Sequence, residues 1–320
     1  MLEAIRINNY KKFSDFGLTD LSKINIIIGI NNVGKTTLLE AILGFASGCN
    51  ISALMNLSVL HRTYSEQAVT NPYRLAEGIW HAFHKNKNSE DFNFSFEGIA
   101  DGKKIYIKHR FHPHSIFSQF LPNEMGIFNE TNHLKEKGDT QMLLGQNSGI
   151  DVPYPRISLG RWTIETDDKK HEYDIAFPTM TTSIISEKPL ILAKFNDILA
   201  HRNDQDNRIT YSALARAGLL SKMVDSFNDA FKGIGLKDIE NIPYPDGSAA
   251  PISVRFNDGR VLPLYSLGDG LRRWFNIIGS MVVYKRSIHC IEEIDATLHH
   301  AAQKNVSYKL CSYVKEYGNQ

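Results

Sequence analysis

Cysteine is scarce in this chain: Cys49, Cys290 and Cys311 are the three in 320 residues, and they stand at no metal or redox spacing. A disulfide scaffold is thereby excluded, and a reducing, cytoplasmic setting is expected. A charge excess of one sign is lacking too. The 36 basic and 35 acidic residues leave a formal net charge of +1, which gives no overall pull toward nucleic acid or an anionic membrane. No apolar run is long enough to span a bilayer, and the opening "MLEAIRINNYKKF" holds no signal-peptide core. Internal repeats, low-complexity stretches and coiled-coil heptads are absent as well. What remains is a chain with 42% hydrophobic residues, enough to core one large domain or two ordinary ones.

Alternation and turn residues mark the strands. "EAIRINNYKKF" alternates around Ile5 and Ile7 and predicts a first strand. "FNFSFEGIADGKKIYIKHRF" predicts a hairpin turning at Asp101-Gly102, and "RWTIETDDKKHEYDIAF" a second turning at Asp167-Asp168. Between them, from about His112 to Pro155, weak periodicity predicts loops. Residues 210–231 carry Leu214, Leu219, Met223, Val224, Phe227 and Phe231 at helical spacing. "ISVRFNDGRVLPL" predicts a hairpin at Asp258-Gly259.

The most specific signal is "INIIIGINNVGKTTLLEAILGF", residues 24–45. Its β-branched opening, residues 24–28, predicts a short strand buried on both faces. "GINNVGKT" then fits G-x-x-x-x-G-K-[ST] at every position, with Gly29, Gly34, Lys35 and Thr36 at the defining places. Glycines let successive N–H groups curl around phosphate oxygens. Lys35 offers a charge to the β- and γ-phosphates, and the Thr36 hydroxyl is an expected Mg²⁺ ligand. A helix follows with Leu38, Leu39, Ile42 and Leu43 on one face, its N-terminus toward the anion.

Hydrolysis needs more than a phosphate loop: an acid near Mg²⁺ and a base for water. "SIHCIEEID" offers a short strand over 288–291 with Glu292 and Glu293 at its end, where ligands sit in open α/β sheets. Glu292 is the expected Mg²⁺-side acid and Glu293 the expected base. In "YSLGDGLRR", Ser266, Gly268 and Asp269 precede a helix, which reads either as an anion site or as ordinary capping.

Taken together, "IRINNYKKF", "GINNVGKTTLLEAI", "SLGDGLRR" and "IEEIDATLHH" resemble the ABC-type ATPases of the RecF/SMC/Rad50-like branch. They are closest to the ATPase of overcoming-lysogenisation-defect (OLD) nucleases and related anti-phage proteins. The resemblance implies an α/β P-loop fold of ABC type: a mixed sheet with an antiparallel β subdomain and a helical segment. It implies an N-terminal lobe over 1–110 with Walker A, a hairpin and loop insertion over 111–204, a helical segment over 205–235, and a C-terminal lobe over 236–320 with signature and Walker B.

Residue by residue, the resemblance implies that Gly29, Asn31, Asn32, Val33, Gly34, Lys35, Thr36 and Thr37 hold nucleotide, with Lys11 and Lys12 alongside. It implies that Ser266, Gly268 and Asp269 complete the site of a second subunit. Thr36 and Glu292 would serve Mg²⁺, with Glu293 and Lys35 catalytic. Asp295 falls at the family's D-loop and Leu298-His299 at its "LH". Walker B ends here in Glu-Glu where Asp-Glu is usual. The family's later strand with a switch histidine does not follow, so the sequence reads as cut before that strand or as a short variant.

The implied function is ATP binding and hydrolysis with Mg²⁺ in a dimer that controls a nuclease or toxin-like effector in anti-phage defence. The alternatives are a RecF/Rad50-like DNA-repair ATPase and a scaffold that holds ATP without hydrolysing it.

Overall fold

A computed structural model describes residues 1–51, 54, 72–83, 92–116, 157–177, 188–196, 204–241, 246, 250–294 and 300–320. They form two compact units that interleave along the chain. A sheet unit comprises Leu2–Asp20 and Asn31–Leu190. A helical unit comprises Met1, Leu21–Ile30 and Ile191–Gln320.

The sheet unit is built on six antiparallel strands in the order β2-β1-β3-β4-β5-β6. They are β1 (Leu2–Tyr10), β2 (Phe13–Leu18), β3 (Phe92–Ala100), β4 (Lys103–Pro113), β5 (Ile157–Thr166) and β6 (Lys170–Phe177). Both expected hairpins are present. At Asp101-Gly102 both residues have positive φ, +49° and +72°, the pairing that suits the twist of a two-residue hairpin turn. Period-2 alternation puts Ile7, Phe96, Ile107, Phe111, Trp162 and Ile164 on one face, each at most 1% exposed. Helix α1 (Lys35–Ser47) packs on β3. A Cβ at Gly98 would lie 2.6 Å from the Phe45 ring, so the absence of a side chain there lets helix and strand approach. Helix α2 (Pro72–Ala82) adds Trp80, whose ring meets Phe92 edge-on at 5.4 Å.

The helical unit holds α3 (Asp204–Arg216), α4 (Leu220–Ala230), α5 (Asp269–Val283) and α6 (His300–Tyr317). An antiparallel sheet runs β10-β9-β8, from β8 (Leu236–Glu240), β9 (Ser253–Phe256) and β10 (Val261–Pro263). A parallel pair joins β7 (Ala193–Asn196) and β11 (Ile288–Ile291). Leu214, Phe227, Val254, Trp274, Phe275, Ile278 and Met281 form one core. The hairpin at Asp258-Gly259 and the strand over 288–291 are as expected. Among the described residues no helix is long and apolar enough to cross a membrane.

Three expectations are corrected. The helical run over 210–231 is two helices, not one. Gly218 adopts φ +67° and the Leu219 N–H reaches the Leu214 carbonyl at 2.9 Å, which ends α3 in a left-handed cap. The expected loop at His112 is strand instead, because β4 keeps pairing with β5 through His112↔Arg161 and Pro113↔Gly160. Residues 114–116 of the expected loop join no strand, and 117–155 lie outside the described residues.

The third correction concerns residues 24–28, which join no strand ladder and are not buried on both faces. Ile24, Ile26 and Ile28 are 44%, 82% and 89% exposed. The polar member of the run supplies a physical reason. Asn25 accepts from the Ser22 N–H at 2.9 Å and donates to the Ser22 carbonyl at 2.6 Å. Such local side-chain bonds give the backbone an alternative to a sheet ladder.

Candidate nucleotide-binding site

In the sheet unit the glycine-rich loop turns tightly. Asn31 and Asn32 form a turn, Asn32 and Gly34 have φ of +64° and +112°, and Val33 is 53% exposed. Position 34 requires glycine twice over: its φ is one that L side chains rarely adopt, and a Cβ would lie 3.2 Å from the Phe13 ring. Gly34 caps α1 with no side-chain hydrogen bond, and the first turn carries no acidic residue. Gly34 brings no side chain to the N–H groups of that turn and no acidic residue stands in it, which suits a phosphate. Lys35 and Thr36 stand half-buried at the helix start, whereas Thr37 is 5% exposed and turned into the core with Leu38.

The two lysines of the β1–β2 turn diverge. Lys12 Nζ donates to Asn32 Oδ1 at 2.8 Å and to the Asn32 carbonyl, so it braces the loop. Lys11 pairs with Glu40 of α1 at 2.5 Å, its side chain 10% exposed and that of Glu40 3%. Its ammonium is committed to a carboxylate in the interior.

In the helical unit β11 runs parallel to β7 from Ile288↔Ala193 to Ile291↔Asn196. Its middle lies in the interior: burial pushes the His289 imidazole down to about 4 and the Cys290 thiol up to about 12. The chain then emerges at Glu292 and Glu293. The Glu292 N–H donates to the Asn196 carbonyl at 3.0 Å, and its carbonyl accepts from Arg273 of α5. Glu293 is exposed and adopts φ +44°. A left-handed glutamate is strained by about 1–2 kcal/mol, and such strain clusters at functional sites.

The third element is the start of α5. Ser266 ends a 3₁₀ turn (Leu264–Ser266), and Gly268 is the N-cap with no side-chain cap bond. The N-cap is thus Gly268 rather than Ser266 or Asp269, with Asp269 an acid in the first turn, where negative charge suits the dipole. Asp269 also meets Arg272 at 3.5 Å. Ser266 and Gly268 are exposed. Gly268 has an ordinary φ of −58°, and a Cβ there would meet nothing within 4 Å. Among the described residues no contact, and no torsion of its own, calls for glycine at 268.

The expected nucleotide-holding residues divide between the units: Gly29 falls in Leu21–Ile30 of the helical unit, whereas Asn31 to Thr37, Lys11 and Lys12 fall in the sheet unit. Lys12 joins Asn32 beside Gly34 and Lys35 in the sheet unit, and Arg273 joins Glu292 in the helical unit. Asp295, Leu298 and His299 lie outside the described residues, as do Gln67 and Gln119, neither of which the sequence singles out as a Q-loop glutamine. Arg273 was missed in the sequence. A signal existed: Arg273, Ile277 and Met281 fall at four-residue spacing and are 2%, 3% and 1% exposed. An arginine on an apolar stripe implies a buried acceptor.

The chain belongs to the family described as "AAA ATPase domain", whose profile matches residues 1–213. It is therefore an ATP-binding ATPase domain by family. A second profile, "AAA domain, putative AbiEii toxin, Type IV TA system", matches residues 161–315. The chain is 45% identical over 42 residues to an ATP/GTP phosphatase of Helicobacter pylori, covering 13% of this chain and 11% of that protein. It is 29% identical over 96 residues to the uncharacterized protein MJECL10 of Methanocaldococcus jannaschii, covering 30% and 42%. The matched stretches therefore span well under two-thirds of either relative. Among solved structures, the SMC head domain from Thermotoga maritima aligns with 98% of this chain and 85% of its own at 10% identity and a TM-score of 0.44.

ATP with Mg²⁺ fits what is present. In the sheet unit the glycine loop, the start of α1 and Lys35 suit a polyphosphate, and the Thr36 hydroxyl is a hard oxygen donor of the kind Mg²⁺ takes.

Proposed function

We propose that the protein is an ATP-driven switch that works as a homodimer. The loop over 29–37 of one subunit holds the nucleotide, and residues 266–269 of the other cover the γ-phosphate. The observation that carries this reading is Gly268. It is exposed, is itself the N-cap of α5, and has no described atom within 4 Å of where a Cβ would be. A glycine that its own chain does not require suits close approach by a group from outside.

In this mechanism Lys35 and the α1 N-terminus would hold the β- and γ-phosphates, and Thr36 and Glu292 would hold Mg²⁺. The metal, when bound, draws charge from the phosphate oxygens. Glu293 takes a proton from the attacking water, its left-handed backbone setting the carboxylate at the exposed end of β11. Closure on ATP and opening after hydrolysis make the signal. The signal acts on an effector, a nuclease or toxin-like protein, in anti-phage defence. The OLD-like motifs support that setting, and so does the toxin–antitoxin wording of the second family match.

Nucleotide-dependent mass measurement tests the dimer. Ser266→Arg should retain ATP binding as a monomer and lose ATP-driven dimerisation. Mixed with Lys35→Ala, it should recover dimers holding one intact composite site. Loss of ATP binding by monomeric Ser266→Arg would refute the trans arrangement. Tight binding without phosphate release would favour the scaffold reading. DNA-stimulated turnover that falls steeply with salt would favour the DNA-repair reading.

A further inference from the structure

We infer that the outer face of strands β4 to β6 carries a binding site for a small sugar phosphate, with Arg110 and Arg161 for the phosphate and Glu165 and Glu172 for the sugar hydroxyls. The site lies wholly in the sheet unit and shares no residue with the nucleotide site.

Strand alternation turns His109, Phe111, Trp162 and Ile164 into the core. Arg110, His112, Arg161, Thr163 and Glu165 therefore stand on the opposite face. There they line a cavity of about 370 Å³ together with His114, Lys170 and Glu172. Most ligand pockets are largely apolar, but no apolar side chain contributes here, so a ligand of this cavity must be polar throughout. Thr163 alone of the lining residues is buried, at 3% exposed, and gives the floor.

A bulge shapes one end of the cavity. β5 pairs with β6 through Ser158↔Ala176 and then Gly160↔Ile175, which leaves Leu159 as an extra residue. Such a bulge bends its strand and re-aims side chains. The Leu159 carbonyl accepts the His114 N–H at 3.0 Å, and Ser158 Oγ lies 3.1 Å from His114 Nδ1. His114 stands just beyond β4 and is thereby held at the rim. Gly160 permits the close approach of the strands, since a Cβ there would lie 2.5 Å from the His112 carbonyl.

The charges across the cavity are loosely paired. Arg110 and Glu165 are 3.4 Å apart, and Arg161 and Glu172 3.5 Å. Both separations exceed the roughly 2.7–2.9 Å of a charge-assisted bond. Lys170 meets Glu172 more closely, at 2.8 Å, and Asp174, which does not line the cavity, reaches Arg161 Nε at 3.4 Å. Exposed pairs at such separations contribute little to stability, so either arginine can turn to a ligand at small cost. Two guanidinium forks suit the oxygens of a phosphate monoester, with His112 and His114 beside them as further donors. The glutamates repel a bare anion but accept hydrogen bonds from hydroxyls. A wall of both kinds selects a ligand that carries both a phosphate and hydroxyl groups.

Isothermal titration at physiological salt tests this with ribose 5-phosphate, inorganic phosphate and ribose. The parent protein is Lys35→Ala, in which the phosphate loop is weakened. Ribose 5-phosphate should bind, inorganic phosphate about tenfold more weakly, and ribose not measurably. Arg110→Gln and Arg161→Gln should each lower the affinity for ribose 5-phosphate about tenfold, the scale of one hydrogen bond to a charged group. Where glutamine disturbs the sheet, lysine at either position keeps the charge and loses the fork, and should lower the affinity as well. Glu165→Gln should narrow the gap between ribose 5-phosphate and inorganic phosphate, because an amide does not repel the bare anion. Lys104→Gln removes an exposed charge of β4 outside the cavity and should leave binding unchanged. Failure of ribose 5-phosphate to bind overturns the proposal, and so does equal loss in Lys104→Gln. Equal affinity for inorganic phosphate would mean an adventitious ion only and overturns it too. Binding of a DNA oligonucleotide without binding of ribose 5-phosphate also overturns it, since the arginines would then serve a polymer backbone.

Discussion

Lowering the pH from 7 to 5 should destabilise the sheet unit through His109. The ring is 1% exposed and lies on Phe94, with centroids 4.5 Å apart and planes 20° apart. Trp162 Nε1 donates to His109 Nδ1 at 3.3 Å, and Nε2 has no partner. Indole is a donor only, so Nδ1 must be the unprotonated nitrogen. Protonating it breaks that bond and places a charge among aromatic rings. Burial accordingly holds the imidazole down to about 3, against about 6.5 in an unfolded chain.

The unfolded state therefore takes the proton first as pH falls, and stability drops through the window from about 6.5 to about 3. Between pH 7 and pH 5 the loss is about 2 kcal/mol, from roughly 1.5 pH units of differential proton binding. His109→Phe keeps the stacking and loses the Trp162 bond, which costs about 1 kcal/mol at pH 7. Urea titrations of both proteins at each pH give the difference, in which the carboxylates and His289 cancel. The variant should be the less stable protein at pH 7 and the more stable at pH 5. A gap that stays constant within about 0.5 kcal/mol across that range would refute the titration of His109.

Lys35→Ala should weaken ATP binding on the order of tenfold to a hundredfold, the value of one charge-assisted contact; isothermal titration reads it, and wild-type affinity would remove the P-loop assignment. Glu293→Gln should bind ATP, stop turnover and accumulate closed dimer, whereas Glu292→Gln should shift the Mg²⁺ requirement. Normal hydrolysis by the first and none by the second would mean the two roles are reversed. Arg273→Met keeps the packing of the stem but leaves the Glu292 carbonyl without its donor, so the helical unit should lose about 1–3 kcal/mol in denaturant titration. Unchanged stability and turnover would show that this bond is dispensable.

The elements legible in the sequence are those set by neighbours along the chain. Asp101-Gly102 and Asp258-Gly259 announce their hairpins because each dipeptide can take the torsions a tight turn needs. Ile288–Ile291 reads as a strand because β-branched residues and a buried cysteine precede two acids. The same compositional signal misled at residues 24–28. Composition cannot report that Asn25 closes a local ring of hydrogen bonds with Ser22. Gly218 was hidden inside a run whose apolar spacing continues across the break. For the site, Lys35, Thr36, Glu292 and Glu293 carry a motif, so their positions could be read directly. Arg273 carries none. Its significance comes from Glu292, which is distant along the chain, and from burial that only the folded unit creates.

The interleaving of the two units has a consequence in time. The sheet unit is complete once Leu190 has been synthesised, but Leu21–Ile30 belongs to a unit whose other long stretch begins only at Ile191. On the ribosome the isoleucine-rich stretch must therefore wait, while most of the chain emerges, for the residues it will fold with. Its residues 24–30, apolar but for Asn25 and uncharged, are the kind of sequence that pairs with copies of itself. Ile24, Ile26 and Ile28 stay 44%, 82% and 89% exposed in the folded chain, so the hazard begins during translation and does not end with it.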